Sequence, residues 1–229
     1  MARLVLVHGF TQVGASWQPI LPALAGHEVI TIDAPGHGRN ANVRADLAET
    51  GELLAEHGPA IYIGYSMGGR MCLHVPRSAM TGLVLVSATA GIDDPDERAV
   101  RRRSDEVLAD RIEAIGTEAF LEEWLALPLF AGLRARGPRS SDAAGLATSL
   151  RLAGTGTQEP MWDRLPALDV PVLLVAGGDD EKFVAIAERM HDALPHSELH
   201  VIDGAGHTVH LEQPEAFTTT LLGWLDVMR

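Results

Sequence analysis

Residues able to do chemistry occur at three well-separated points of the chain. Gly64-Tyr65-Ser66-Met67-Gly68 is a Gly-x-Ser-x-Gly run between the apolar stretch Ala60–Ile63 and a segment of helical character. Glycines two residues either side of a serine suit a turn too tight for a Cβ, and such a turn lifts the hydroxyl clear of the backbone. A serine hydroxyl is a weak nucleophile and a weak base until an imidazole takes its proton. The chain has 10 histidines. His207, in Asp203-Gly204-Ala205-Gly206-His207, follows the last apolar stretch and stands where that chemistry needs it. Gly177-Gly178-Asp179-Asp180 supplies two competing carboxylates after another apolar stretch, and the Gly-x-x-Asp spacing usual for the acid in enzymes with this chemistry favours Asp180 and leaves Asp179 to solvent. The order is then serine, acid, histidine. Ser66 reads as nucleophile or base, His207 as its proton acceptor, and Asp180 as the group that holds the imidazole.

Negative charge that develops near such a serine needs fixed donors. The Met67 amide opens the segment after Ser66 and is one candidate. The Phe10 amide, in His8-Gly9-Phe10, is the other, with the His8 side chain read as structural.

These groups must be positioned by strands and helices. Short continuous apolar runs at Leu4–Val7, Val29–Ile32, Ala60–Ile63, Gly82–Val86, Val172–Val175 and Leu199–Ile202 read as strands buried on both faces. Between them lie stripes of helical period: Val43, Leu47 and Leu54; Phe183, Ile186, Ala187, Met190 and Leu194; and Phe217, Leu221, Trp224, Leu225 and Met228, the last with Pro214 near its start. Strands alternating with helices imply a mostly parallel sheet flanked by helices, an α/β fold. The alternation fails over 93–165, where Val100, Val107, Leu108, Ile112 and Ile115 form one helical stripe and Phe120, Leu121, Trp124 and Leu125 another. This segment is expected to be a helical cap inserted into a single domain of residues 1–229.

The 229 residues carry 31 acidic against 18 basic side chains, a net charge of −13. That balance argues against a nucleic-acid groove, and any anionic substrate needs a local cluster of cations. Arg70 falls one helical turn after Ser66, and Arg101, Arg102 and Arg103 fall on the expected cap. Arginine binds carboxylate through two parallel hydrogen bonds, so such a cluster can serve as a clamp. A solvated helix face is the other reading of Arg102 and Arg103. No apolar run is long enough to span a bilayer, no signal-peptide pattern is present, and the single cysteine, Cys72, fits a reducing cytoplasm. No Gly-x-Gly-x-x-Gly, phosphate loop or His-Glu-x-x-His occurs, so no cofactor and no metal is expected. The expected partner is a small anionic molecule.

His8-Gly9-Phe10, Asp33-Ala34-Pro35-Gly36-His37-Gly38, the serine turn, Gly177-x-x-Asp180 and Gly206-His207 together resemble the α/β-hydrolase superfamily across nearly the whole chain. The resemblance implies that fold, starting at what would be its third strand and with a short helix after the serine turn. A narrower resemblance, to 2-succinyl-6-hydroxy-2,4-cyclohexadiene-1-carboxylate synthases of menaquinone biosynthesis, rests on several motifs. They are Tyr65 to Arg70, Glu97 to Asp105, Trp124 with Pro128 and Phe130, Ser149 to Gln158, and Lys182-Phe183. It implies a lyase that expels pyruvate from a polycarboxylate enolpyruvyl ether, with Ser66 and His207 removing a ring proton and no acyl-enzyme. It further implies that Arg70 and Arg101 bind the substrate, with Arg139 a looser match, and that Tyr65 and Trp124 line the pocket. Two other readings stay open: a small carboxylesterase or lactonase acting through an acyl-enzyme on Ser66, and a ligand receptor that retains these groups as relics.

Overall fold

The computed structural model describes residues 1–135 and 137–228. Six strands, β1 (Arg3–Val7), β2 (Glu28–Ile32), β3 (Ala60–Tyr65), β4 (Met80–Val86), β5 (Val172–Gly177) and β6 (Ser197–Ile202), form one sheet in the order β2-β1-β3-β4-β5-β6. Every pairing is parallel. All six expected strands are present, each one or two residues longer than its apolar run. The sheet therefore has the α/β-hydrolase architecture, with its topological switch where the chain leaves β2 and crosses β1 to enter β3. In open parallel sheets the crevice beyond the carboxyl ends at such a switch is where ligands bind.

Alternate residues along each strand feed two cores. Val5, Val7, Tyr62, Leu83, Leu85, Val172 and Leu174 face one side, packed with Leu47 and Leu54 of α1 (Leu47–Ala55), Met71 of α2 (Met67–Cys72) and Met190 from the helix after β5. Leu4, Leu6, Ile61, Ile63, Val84, Val86, Leu173 and Val175 face the other, against Trp17, Ile20, Phe217, Leu221 and Trp224. Both faces are covered, which is why the four inner strands read as unbroken apolar runs. The expectation fails at the edges. β2 is half-buried after an exposed Glu28, and β6 is largely exposed, with Val201 at 42%. Each lacks a neighbour on one side.

Between β4 and β5 the chain is helical. α3 (Pro95–Leu125) is two helices joined at Gly116, whose φ of 78° and ψ of 164° lie outside the helical region. α4 (Ala143–Ala153) packs on it through Ala109, Ile112, Phe120, Leu146, Ala147 and Leu150. Arg151 adds ion pairs to Glu106, Asp110 and Glu113. The expected stripe over 100–115 is partly wrong, because Val100 and Val107 are exposed while Ala109 and Ile112 are buried. Val43 likewise lies outside α1 and is exposed. An apolar residue near a helix shares its stripe only if the chain is already helical there, and α1 begins at the Asp46 cap. Asp46 accepts from the Glu49 amide while the Glu49 carboxylate accepts from the Asp46 amide, a reciprocal cap that contributes about 1 kcal/mol.

α5 (Glu181–Ala193), α6 (Val209–Glu212) and α7 (Pro214–Val227) complete the chain. No helix among the described residues is long and apolar enough to cross a membrane.

Two buried histidines fasten the loops at the carboxyl edge. His8 Nδ1–H donates to the Gly9 carbonyl at 2.8 Å, and its Nε2 accepts from the Ala34 amide at 3.0 Å. His37 donates to the Pro35 carbonyl at 3.0 Å and accepts from the Thr11 amide at 3.3 Å. Each ring joins the loop after β1 to the loop after β2, and each must be neutral to accept. Burial pulls His8 down to about 4 and His37 to about 3, from an ordinary value near 6.5. Burial does the same to His74 and His210, at about 4 and about 3.

As pH falls through about 6.5 the unfolded chain takes up protons that the folded chain refuses, so stability present at neutral pH is progressively lost. The Tm should therefore drop between pH 7 and pH 5. Neither ring nitrogen of His210 has a hydrogen-bond partner among the described residues. The ring packs 4.2 Å from Trp17 and 4.7 Å from Tyr65, centroid to centroid. His210→Phe keeps that packing and should lessen the drop. A drop of the same size in this variant, measured by calorimetry, would show that His210 does not contribute.

Candidate active site

The site begins with a steric constraint. Ser66 follows β3 and opens α2 with φ 51° and ψ −109°, in the left-handed half of the map. A Cβ on Gly64 would collide with Gly68 backbone, and a Cβ on Gly68 would collide with the Val7 carbonyl of β1. Only glycines allow β1, β3 and α2 to converge this closely, and the convergence forces the chain through the Ser66 conformation. Its cost, about 1–3 kcal/mol, is sustained by the packing around it. α2 is short, six residues, as expected.

The corner aims Ser66 at the loop after β6. The Ser66 hydroxyl donates to His207 Nε2 at 3.0 Å, and His207 Nδ1–H donates to Asp180 Oδ2 at 2.7 Å. Asp180 also caps α5 by accepting from the Phe183 amide. His207 and Asp180 are 3% and 9% exposed, so water competes little for these bonds. The chain Ser66–His207–Asp180 can move a proton from the hydroxyl to Nε2 while Asp180 fixes the tautomer. Asp179 makes no such contact, because its amide is spent on the Ala205 carbonyl and its carboxylate does not reach His207.

The Phe10 and Met67 amides stand on either side of this hydroxyl in the sequence of elements, one in the loop after β1 and one at the start of α2. No described residue accepts a hydrogen bond from either amide. The Phe10 loop is held from behind. Thr11, at φ 69°, gives its amide to His37, receives Arg139 Nη1 on its hydroxyl at 3.0 Å, and receives the Ser140 amide on its carbonyl at 2.8 Å.

Above Ser66 lies a cavity of about 1020 Å³ between the sheet edge and the helical segment over it. Phe10, Tyr65, Met67, Trp124 and Phe130 border it together with His207, as do the charged residues Arg70, Arg101, Asp105 and Lys182. The Tyr65 ring is buried, its hydroxyl bonded to Thr208 Oγ1 at 3.1 Å, and burial drives its ionisation well above the ordinary range. It therefore serves as neutral wall. Trp124 packs on Phe10 and Phe130, with centroids 5.5 Å away in each case, and its indole N–H has no partner among the described residues.

The arginines divide. Arg70 is 7% exposed and Nη1 donates to the Ala153 carbonyl at 2.8 Å. Burial and the charge of Arg101 lower it to about 10, with Asp105 opposing, so it remains a cation at neutral pH. Arg101 gives only Nε, at 2.8 Å, to Asp105 Oδ1, which leaves both its terminal nitrogens without an acceptor among the described residues. Arg139 is not brought to the cavity. It pairs with Gln12 in an isolated antiparallel bridge and its guanidinium engages Thr11. Such a long-range bridge leaves no periodic signal in the sequence.

Three residues at the site appear in the sequence analysis only within motifs or stripes, with no role assigned to them. Asp105 is 2% exposed and accepts from both Arg101 and the Gly156 amide, so it aims Arg101 and tempers the local charge. The i,i+4 spacing of Arg101 and Asp105 was a usable signal. Phe183 packs 4.5 Å from the His207 ring, its stripe having suggested core. Lys182 borders the same cavity.

If the hydrogen-bonded chain governs reactivity, Asp180→Asn should lower kcat by about 10³-fold or more, and Asp179→Asn by less than about threefold. Equal losses in a turnover assay would remove the distinction between them.

The α/β hydrolase family model matches residues 4–220. A Bacillus subtilis protein that carries the name of 2-succinyl-6-hydroxy-2,4-cyclohexadiene-1-carboxylate synthase is 39% identical over 238 residues, which span 93% of this chain and 86% of that one. The synthase of that name from Klebsiella pneumoniae is 31% identical over 95% of this chain and 91% of its own. Among solved structures, MenH from S. aureus superposes with a TM-score of 0.92 at 32% identity, covering 99% of this chain and 94% of its own. A thermophilic esterase from Thermogutta terrifontis with malate bound gives 0.82 at 27% identity, covering 100% and 90%. The chain belongs to the α/β-hydrolase family and, within it, groups with the 2-succinyl-6-hydroxy-2,4-cyclohexadiene-1-carboxylate synthases.

Proposed function

We propose that this enzyme is a carbon–oxygen lyase of the 2-succinyl-6-hydroxy-2,4-cyclohexadiene-1-carboxylate synthase type, acting in the cytoplasm on a polycarboxylate enolpyruvyl ether. The observation that carries the reading is the pairing, in one cavity, of a Ser66–His207 hydrogen bond with two guanidiniums that have spare donors. An ester hydrolase for neutral substrates has no use for the second feature. Arg70, Arg101, Lys182 and Arg189 balance Asp93, Asp94, Glu97 and Asp105 around the cavity, in a chain whose overall charge is −13, and spare cationic donors are found on Arg70 and Arg101. A substrate with several carboxylates would be drawn to that locus and oriented by it.

In this mechanism Ser66 acts as a base rather than as a nucleophile. His207 Nε2 takes the hydroxyl proton as Ser66 Oγ removes a proton from a ring carbon. The electron pair left on the ring forms a new double bond, and the carbon–oxygen bond to the enolpyruvyl group breaks. The leaving enolate takes up the proton held by His207 and becomes pyruvate. Asp180 stabilises the imidazolium between these two transfers. Charge that spreads onto the ring's conjugated oxygens would meet the Phe10 and Met67 amides. No acyl-enzyme forms and no cofactor takes part.

Release of pyruvate from the enolpyruvyl substrate, followed by coupled reduction, tests the reading. Ser66→Ala and His207→Ala should each remove nearly all turnover, and the double variant should be no worse, since the two groups act as one unit. Multiplicative losses would contradict that unit. Arg70→Met, which keeps the buried stem, should lower kcat/KM for the anionic substrate about tenfold or more and affect p-nitrophenyl acetate much less. Rapid ester turnover with an acyl group trapped on Ser66, and no pyruvate, would establish the esterase reading instead.

A further inference from the structure

Ser87 follows β4 at the level where Ser66 follows β3. Tyr65 and Val86 are register partners, and the Ser66 amide donates to the Val86 carbonyl at 2.8 Å. On its other side the Ser87 amide donates to the Val175 carbonyl of β5 at 2.9 Å. Ser87 therefore stands between the serine corner and the strand whose following loop carries Asp180.

Two properties of Ser87 are unfavourable for folding. Its φ of 47° lies in the left-handed region, which a serine occupies with strain and a glycine without it. Its side chain is 2% exposed, and its Oγ has no hydrogen-bond partner among the described residues. A buried hydroxyl with no partner costs free energy that a hydrogen atom in its place would not. The backbone pairing of Ser87 needs no side chain at all. Yet Ser87 borders the cavity, next to Ser66 and Ala88.

We propose that the Ser87 hydroxyl is a substrate-binding group on the floor of the cavity, donating a hydrogen bond to a carboxylate oxygen of the bound substrate. The identity of that substrate rests on the lyase reading above. The contact supplies the missing partner and gives the strained serine a use that glycine cannot serve. It also sets one carboxylate beside Ser66 and leaves Arg70 and Arg101 to hold the others.

The test compares wild type with Ser87→Ala, which removes only the hydroxyl, and Ser87→Gly, which also relieves the backbone. Both variants should melt no lower than wild type. Both should lose about five- to tenfold in kcat/KM for pyruvate release, the range of one neutral-donor hydrogen bond, with most of the change in KM. Activity within twofold of wild type in both variants would overturn the proposal. So would a fall of Tm and activity together in both, which is the mark of a structural role. If wild type releases no pyruvate, the lyase reading fails, and Ser87 is then judged on p-nitrophenyl succinate monoester against p-nitrophenyl acetate. A larger loss on the succinate, whose free carboxylate supplies the oxygen, supports the contact. Equal losses overturn it.

Discussion

Three backbone segments, the end of β1, the end of β3 and the start of α2, crowd into a space that admits no Cβ on Gly64 or Gly68. The Ser66 backbone is forced to φ 51° as a result. From that constraint the rest of the site follows. The hydroxyl stands above the sheet, where an imidazole from the loop after β6 can receive its proton. The same corner brings the first turn of α2 against β1, so Met67 and Phe10 border one cavity. The switch in strand order, with β2 on one side of β1 and β3 on the other, opens the crevice in which all of this is accessible to a ligand.

Neutral histidines keep that crevice in shape. His8 and His37 each donate from one nitrogen and accept at the other, binding the loops after β1 and β2 to one another. Burial ensures that neither gains a second proton near neutral pH. Thr11, pinned at amide, hydroxyl and carbonyl, carries the hold of His37 and Arg139 to the adjoining Phe10. Arg139 and Ser140 come from the segment above the cavity, so the wall and the roof are fastened together. Over the same cavity, Asp105 turns Arg101 so that its terminal nitrogens stay available. In so acidic a chain, recognition of the carboxylates proposed for the substrate would depend on this local arrangement, because overall charge works against it.

The sequence was most informative where one physical demand fixes one residue type. Six strands could be read from apolar runs because the inner ones are buried on both faces, and the runs were misleading only about how well the edge strands are covered. The serine corner could be read because sterics exclude every residue but glycine at Gly64 and Gly68. His207 and Asp180 could be read because each sits at a fixed distance past a strand end. Helical stripes were a poorer guide over 93–165, where Val100 and Val107 point to solvent, since a helix that caps a cavity has fewer faces set by a core.

By itself, then, the sequence determined the parallel sheet, the turn at Ser66 and the order of the three hydrogen-bonded groups, all of which follow from local sterics and from burial along single strands. Only the tertiary structure decided that Arg70 and Arg101 share the cavity with Ser66 while Arg139 props the Phe10 loop. It alone showed Asp105 aiming Arg101, Phe183 against His207, and Ser87 strained, bordering the cavity and without a side-chain partner among the described residues. These depend on which side chains from distant segments meet, and the choice among a few arginines or serines of equal local propensity is made by packing between elements.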